Sequence, residues 1–302
     1  QAKTQVETVY YSYVLDLEQK LVGVISFREL FSSSANKKID EIMHTDIIKI
    51  SVDMDQEQIG QVFSKYELMA IPVIDKENKM VGIVTFDDIA QAVQEEATED
   101  IHKLGGVESL DAPYLQITLM EMIKKRGVWL MVLFIGEMFT ASAMGYFEDE
   151  LKRAVILSMF LPLIISSGGN SGSQASTLII RAMALGEVKL KDWWRVLVRE
   201  ITVGLSLGLL LGFIGLLRIY FWPWREQMYG EHYKLIAITV STSVIGVVLW
   251  GVLSGAMLPF ILRRFKLDPA SASGPAVATI VDVTGLVIYF STASLILKGT
   301  LL

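Results

Sequence analysis

The stretch SASGPAVATIVDVTGLVIYFSTASLIL, from Ser271 to Leu297, is long and apolar enough to cross a bilayer as one helix. Its single charged residue is Asp282. A carboxylate at membrane depth costs at least ~2.5 kcal/mol, so it usually faces water, an ion or a partner rather than lipid. This pattern indicates a protein that moves cations. The alternative is a packed small-residue helix interface around a neutral or hydrogen-bonded Asp.

Small residues share one face with Asp282 if this stretch is helical. Ser271, Gly274, Ala278 and Gly285 continue that face at spacings of three and four. Their side chains leave room beside the carboxylate. Such room suits a hydrated ion, because Mg²⁺ sheds its water reluctantly.

Charge and hydrophobicity divide the chain into two halves. Of its 302 residues 52 % are hydrophobic, and the apolar segments lie after Arg126. Residues 1–126 carry 13 Lys/Arg and 22 Asp/Glu, whereas residues 127–302 carry 14 and 11. An acidic soluble half disfavours nucleic-acid binding, because phosphate needs a basic surface. The chain begins at Gln1 rather than Met, which indicates a fragment of a longer protein.

An internal repeat occupies the soluble half. Residues 14–30, VLDLEQKLVGVISFREL, align without gaps on residues 73–89, VIDKENKMVGIVTFDDI, at an offset of 59. Each copy predicts a strand, a polar turn, a second strand and the start of a helix.

An acidic helix is predicted next, over residues 88–104. Glu95 and Glu99, and likewise Glu96 and Asp100, are like-charge pairs four residues apart. Each pair is unfavourable by a few tenths of a kcal/mol unless a cation intervenes. The helix is therefore a candidate cation-responsive element, with an ordinary solvated face as the alternative.

Five apolar segments follow, each near the ~20 residues that a membrane-crossing helix needs. A juxtamembrane helix over 113–126 is expected before them, and the expected spans are 127–147, 154–182, 197–221, 235–260 and 270–298. Eleven Lys/Arg lie on the side of the soluble half and six on the other. The positive-inside rule therefore predicts a cytoplasmic soluble half and an external C-terminus.

The second span contains helix-weakening residues over 162–174, including Gly168, Gly169 and Asn170. This composition predicts a broken helix. Irregular backbone at membrane depth is tolerated only inside protein or beside water. The segment should therefore line a pathway or a helix contact.

The paired V-G-[IV]-[IV]-[ST]-F cores resemble a tandem cystathionine-β-synthase (CBS) domain whose first copy is truncated. The resemblance implies adenine-nucleotide contacts from a Ser/Thr-x-x-Asp motif, which Thr85 and Asp88 match. The first copy departs from this motif, with Ser26 followed by Glu29. ATP binding by the pair and a helix cap at Thr85 are therefore two alternative readings of this motif.

The whole chain resembles the MgtE-type magnesium channels. The resemblance rests on the order of the CBS pair, an E-A-T-E-D-I helix and five spans, with P-x₅-G-G-N-x-G-x-Q in the second and D-P-A-x-x-S-G-P-x₆-D-V-T-G in the fifth. It implies an α/β tandem CBS domain over 1–87, an acidic linker or plug helix and a juxtamembrane helix over 88–126, and an all-α five-helix pore domain over 127–302. The family's N-terminal helical domain would precede Gln1.

The same resemblance implies a homodimeric, non-enzymatic channel in the lipid of the inner membrane, which admits Mg²⁺ and closes when cytosolic Mg²⁺ binds. It assigns metal contacts to Asp282, Ala278, Asp268, Glu96, Glu99 and Asp100, and pore-lining positions to Gly168, Gly169, Asn170, Gly274 and Pro275. Gly274 stands where many members carry Asn. A secondary divalent-cation carrier and a non-transporting Mg²⁺ or nucleotide sensor are the alternative functions.

Overall fold

The computed structural model describes residues 10–34 and 36–302, and the chain divides between Thr98 and Glu99 into two compact units. The first unit contains β1 (Tyr11–Leu15), β2 (Leu21–Ser26), α1 (Phe27–Ser32), β3 (Ile50–Ser51), α2 (Gln56–Tyr66), β4 (Ala70–Ile74), β5 (Met80–Thr85) and most of α3 (Phe86–Leu104). Strands β1 and β2 form one antiparallel hairpin, whereas β3, β4 and β5 form a second, mixed sheet.

The two copies of the repeat fold into hairpins of the same register. Val14 pairs with Gly23 in the first hairpin, and Val73 pairs with Gly82 in the second. In both, the register shifts immediately after that Val. The 59-residue offset therefore holds for backbone pairing as well as for sequence, which confirms the predicted repeat.

Similar hydrogen bonds lie at the start of the helix that follows each hairpin. The Ser26 hydroxyl accepts from the Glu29 backbone N–H at 3.2 Å, and the Glu29 carboxylate accepts from the Ser26 backbone N–H at 3.0 Å. In the second copy the Thr85 hydroxyl donates to the Asp88 carboxylate at 2.6 Å. Hydrogen bonds from His44 and Ser26 lower the pKa of Glu29 to about 2. Glu29 and Asp88 thus play the same part in the two copies: each carboxylate accepts from the backbone N–H of the residue three positions before it.

The core of the first unit lies between the β3–β4–β5 sheet and the helices α2 and α3. Ile50 of β3, Ile71 of β4, Phe63 of α2 and Ile89 of α3 are all buried together. Burying such side chains contributes ~1.5–3 kcal/mol each.

The second unit is entirely helical apart from its connections. It contains α4 (Leu119–Tyr146), α5 (Glu148–Arg153), α6 (Leu161–Ala184), α7 (Trp193–Tyr220), α8 (Arg225–Tyr229), α9 (Tyr233–Arg264) and α10 (Gly274–Leu297). With short 3₁₀ extensions, five segments are long and apolar enough to cross a membrane: Leu119–Tyr146, Val155–Ala184, Leu190–Tyr220, Tyr233–Arg264 and Gly274–Leu297. An α/β unit followed by five candidate spans confirms the predicted fold class.

The predicted juxtamembrane helix is wrong as a separate element. Helix α4 begins at Leu119 and continues without interruption into the first span. Its start is set by a capping box, in which Thr118 and Glu121 each bond the other's backbone N–H. This pair is a stronger start signal than Pro113, which lies in a turn before the helix.

The predicted break in the second span is also wrong. Helix α6 is continuous through Gly168 and Asn170. The irregular turn lies earlier, as a 3₁₀ segment over Val155–Phe160, and Pro162 stands in the first turn of α6, where proline is tolerated. Hydroxyls such as that of Ser171 bond back to a carbonyl of their own helix. These residues therefore serve close packing rather than a break.

Glycines bring α6 and α9 into backbone contact. A Cβ atom on Gly251 would lie 2.2 Å from the Gly168 carbonyl oxygen, and one on Gly255 would lie 2.0 Å from the Gly172 carbonyl oxygen. Helix α9 occupies the centre of the unit, because α6, α7 and α10 all pack against it. No larger residue than glycine fits where α6 and α9 cross.

We expect Gly251→Ala to destabilise the membrane unit by about 1–3 kcal/mol, because the new methyl group would overlap backbone atoms of α6. Thermal unfolding in detergent measures this loss. Gly215→Ala in α7 is the matched control, because no atom lies within 4 Å of its added Cβ, and it should unfold like wild type. Equal stability of both variants would contradict this description of the α6–α9 contact.

Candidate functional site: an acidic cavity among the membrane helices

An open cavity of about 780 Å³ lies among α4, α6 and α10. Its walls are formed by Thr140, Met144, Leu161, Pro162, Ile165, Ser166, Gly169, Asn170, Ser173, Gly274, Pro275, Ala278, Asp282 and Leu286. Asp282 is the only ionisable residue in this lining. The cavity therefore concentrates one negative charge between largely apolar walls.

Successive turns of α10 present the residues that face the cavity. Gly274, Ala278, Asp282 and Leu286 follow one another at intervals of four, as one face of a helix requires. Gly285 does not belong to this face, because it is buried against Val247 of α9.

Capping interactions fix where α10 begins. The Asp268 carboxylate accepts from the Ala270 backbone N–H at 2.9 Å, which holds the 3₁₀ turn before the helix. Ser273 is the N-cap residue of α10, and its hydroxyl accepts from the Ala276 backbone N–H at 3.3 Å. Ser271 lies in the 3₁₀ turn and not on the helical face that the sequence predicted.

Two serines of α6 tie this start to the second span. The Ser176 hydroxyl donates to the Ala272 carbonyl at 2.5 Å, and the Ser173 hydroxyl donates to the Gly274 carbonyl at 3.2 Å. Ser176 is fully buried, so an unmade bond there would be costly. The two helices that form most of the cavity are thus held in register by side chain to backbone bonds.

The predicted pore residues of α6 divide between two faces. Gly169 and Asn170 line the cavity. A Cβ on Gly169 would lie 3.6 Å from Ala278, an ordinary contact distance. Gly168 instead faces α9, where an added Cβ would lie 2.5 Å from Val247. Only Gly169 of this glycine pair lies on the cavity wall.

Lys103 holds together two of the predicted metal ligands, Glu99 and Asp268. Its ammonium group pairs with Glu99 and with Asp268, the latter at 2.5 Å. Burial lowers the pKa of Lys103, but hydrogen bonds and attraction from Asp268 and Glu99 raise it above its usual value. A fixed positive charge therefore lies between these carboxylates.

The end of α3 also packs against the start of α10. Gly106 has a φ of +69°, and an added Cβ would lie 2.8 Å from Trp129 and 3.4 Å from Pro275. Leu104 packs against the buried residues Ala270 and Ala272. The glycine turn after the acidic helix therefore lies beside the lining residue Pro275.

The acidic residues assigned to Mg²⁺ sensing have different surroundings. Glu96 accepts a hydrogen bond from Gln56 in the first unit, whereas Glu99 pairs with Lys103 in the second. Asp100 also has a bonding partner. Within residues 10–34 and 36–302 of one chain, no three His, Asp or Glu residues are grouped closely enough to hold a metal ion.

Thr85 and Asp88 bond to each other at the start of α3, as described above. A separate cavity of about 220 Å³ in the first unit is lined by Ser51, Val52, Asp53, Asp75, Lys76 and Glu77. The cap residues are not part of that lining.

Glu137 of α4 is a site residue that the sequence reasoning missed. Its carboxyl group lies within hydrogen-bonding reach of the Asp282 carboxyl group. It also accepts from the Thr279 hydroxyl at 3.3 Å. The signal was present, because Glu137 is the only charged residue in the segment 127–147 and falls under the same rule as Asp282.

Comparison with known proteins identifies two families in the chain. Residues 161–292 match the MgtE family of divalent cation transporters, and residues 39–95 match the CBS domain family. The magnesium transporter MgtE of Thermus thermophilus is 40 % identical over 99 % of this chain and 64 % of its own length. That of Bacillus subtilis is 32 % identical over 95 % of this chain and 62 % of its own length.

A solved structure of the cytosolic domain of the Mg²⁺ channel MgtE in complex with ATP is 37 % identical over 28 % of this chain and 35 % of that chain, with a TM-score of 0.28. The chain spans less than two thirds of the length of these two transporters. Its membrane helices α6 to α10 contain the MgtE match, and its β3–β5 sheet lies within the CBS match. The chain is similar to the MgtE family across its membrane helices, with a CBS match ahead of five candidate membrane spans.

Proposed function

We propose that the chain is the conducting part of a Mg²⁺-selective channel, which mediates Mg²⁺ influx across the inner membrane and is gated by cytosolic Mg²⁺. One observation carries this proposal. Asp282 is the only ionisable residue on the wall of a cavity formed by three membrane-crossing helices. Similarity to a divalent cation transporter family over residues 161–292 supports the same conclusion.

The size of the cavity suits an ion that keeps its water. Mg²⁺ prefers six oxygen ligands in octahedral geometry and often retains several waters. Six waters occupy about 180 Å³ at roughly 30 Å³ each, so a hydrated ion fits within the 780 Å³ cavity. Contacts through water would use the Asp282 carboxylate and the backbone carbonyl of Ala278, both on the cavity face of α10.

The continuous second span favours a channel over a coupled carrier. Many secondary transporters build their binding sites from discontinuous helices at the midplane. Helix α6 has no such interruption beside Gly169 and Asn170. A non-transporting sensor, the other alternative, gives no reason for a carboxylate on the wall of a membrane cavity.

A second copy of the chain is the proposed partner that closes the cavity. One chain leaves the cavity open, and α4 has no buried residue along its length. In the proposed homodimer, the pore would run between the α6 and α10 helices of the two copies. The excess of Lys/Arg at one side supports a cytoplasmic soluble half and an external C-terminus.

In this proposal the chain has three functional parts: the CBS pair over 1–87, the linker over 88–126 and the pore domain over 127–302. Cytosolic Mg²⁺ would act on Glu96, Glu99 and Asp100 of α3 and on Asp268 at the entrance to α10. A ligand shifts such an equilibrium only by binding one state better than the other. ATP binding by the CBS pair stays a prediction, because Thr85 and Asp88 bond to each other without a nucleotide.

Asp282→Ala should lower Mg²⁺ flux by at least about tenfold, a change of ~1.4 kcal/mol in ion stabilisation, because it removes the charge from the cavity. Mg²⁺ uptake into proteoliposomes, measured with a fluorescent indicator, tests this. Thr292→Val on the same helix is the matched control, because its hydroxyl bonds only within α10 and lies off the cavity. Wild-type uptake by Asp282→Ala would refute the ion site.

Gly169→Leu should block conduction while the protein remains folded, because the side chain would extend beside Ala278 on the cavity wall. Gly169→Ala, whose methyl group fits at contact distance, should conduct. Gly168→Ala should lower thermal stability instead, because it collides with Val247. Normal flux through a folded Gly169→Leu protein would show that the pathway lies elsewhere.

Replacing Glu96, Glu99 and Asp100 together with Ala should raise the Mg²⁺ concentration needed for closure without altering open-state permeation. Proteolysis near Gly105, with and without millimolar Mg²⁺, reports the underlying change. Wild type should be protected by Mg²⁺, and the triple variant much less so. Glu95→Ala on the same helix is the control. Equal cleavage of wild type with and without Mg²⁺ would refute the assignment of α3 as the Mg²⁺ sensor.

A further inference from the structure

The strongest unassigned feature lies on α4, at the edge of the cavity. Glu137 and Asp282 come from different helices, and their carboxyl groups approach within hydrogen-bonding reach. No Lys or Arg in the described parts of the chain forms an ion pair with either. Two neighbouring carboxylates repel each other unless a cation or a proton lies between them.

The local packing builds this approach into the structure. Gly136 precedes Glu137, and a Cβ on it would lie 2.6 Å from the Thr279 side chain. Only a glycine lets α4 approach α10 so closely at this turn. The Thr279 hydroxyl then donates to a Glu137 carboxylate oxygen at 3.3 Å, which orients the acid.

A second polar group of α4 points to the same place. Thr140, one helical turn after Glu137, lines the cavity. Its hydroxyl is buried and has no hydrogen-bond partner among the residues that the structure describes. The cavity wall therefore takes a residue of α4 within one helical turn of Glu137.

We propose that Glu137 is the second acidic residue of the ion site, placed by Gly136 and Thr279, and that it makes the site prefer divalent over monovalent cations. This inference rests on the proposed channel function. The physical reason is that a pair of adjacent negative charges attracts a doubly charged ion more strongly than a single charge does. In the proposed dimer the site would hold two such pairs.

The test replaces the charge while keeping the shape. Glu137→Gln can still accept from Thr279, so a purely structural role would survive it. The full chain is reconstituted in planar bilayers, and the Mg²⁺ to K⁺ permeability ratio is taken from reversal potentials. We expect Glu137→Gln to lower this ratio by about tenfold or more, and Glu137→Asp to recover part of it. Ser142→Ala, on α4 but outside the cavity lining, should keep the wild-type ratio.

A wild-type ratio in Glu137→Gln would overturn this inference. Should that variant fail to fold, Thr279→Val takes its place, because it keeps both carboxyl groups and removes the orienting hydroxyl. A wild-type ratio in folded Thr279→Val would then overturn it equally. Absence of Mg²⁺ current in wild type, or wild-type current in Asp282→Ala, would refute the channel proposal itself. A normal Mg²⁺ current whose Mg²⁺ to K⁺ ratio does not change in Glu137→Gln would refute only the role of Glu137.

Discussion

The backbone contact between α6 and α9 is the constraint on which the rest of the membrane unit depends. Lipid is as apolar as a leucine side chain, so membrane helices associate through close packing and hydrogen bonds rather than through the hydrophobic effect. Gly168 and Gly172 meet Gly251 and Gly255 with no space for a side chain. Because this face of α6 packs against α9, the adjacent face, which contains Gly169, lies toward the cavity.

The same use of small residues brings charge into the membrane. Helix α10 is tied to α6 by serine hydroxyls, and α4 reaches α10 at Gly136. Asp282 and Glu137 are thereby placed beside a cavity rather than against lipid. The carboxylates approach each other only because glycine lies at the helix contacts. A bulky residue at these contacts would separate the helices and isolate each acid.

Local patterns in the sequence predicted the elements well and their contacts poorly. Alternating apolar residues and a polar turn specify each hairpin. The sequence repeat therefore extends to strand register, including the pairing of Val14 with Gly23. Hydropathy specified the number of spans. The break at Gly168 was wrong because propensities for glycine and serine describe helices in water, whereas packing against α9 stabilises α6. The meeting of Glu137 with Asp282 depends on tertiary packing, which no local pattern encodes.

The position of Lys103 bears on how a cation could regulate the entrance to α10. Glu99 and Asp268 already share one amine of the same chain as their ion-pair partner. A metal ion that used these two carboxylates would have to displace that amine, which tethering keeps at high effective concentration. Such competition weakens binding and raises the ion concentration at which the entrance changes state. An internal lysine would therefore confine the response to conditions in which the divalent ion is abundant, which is the regime that feedback on ion entry requires.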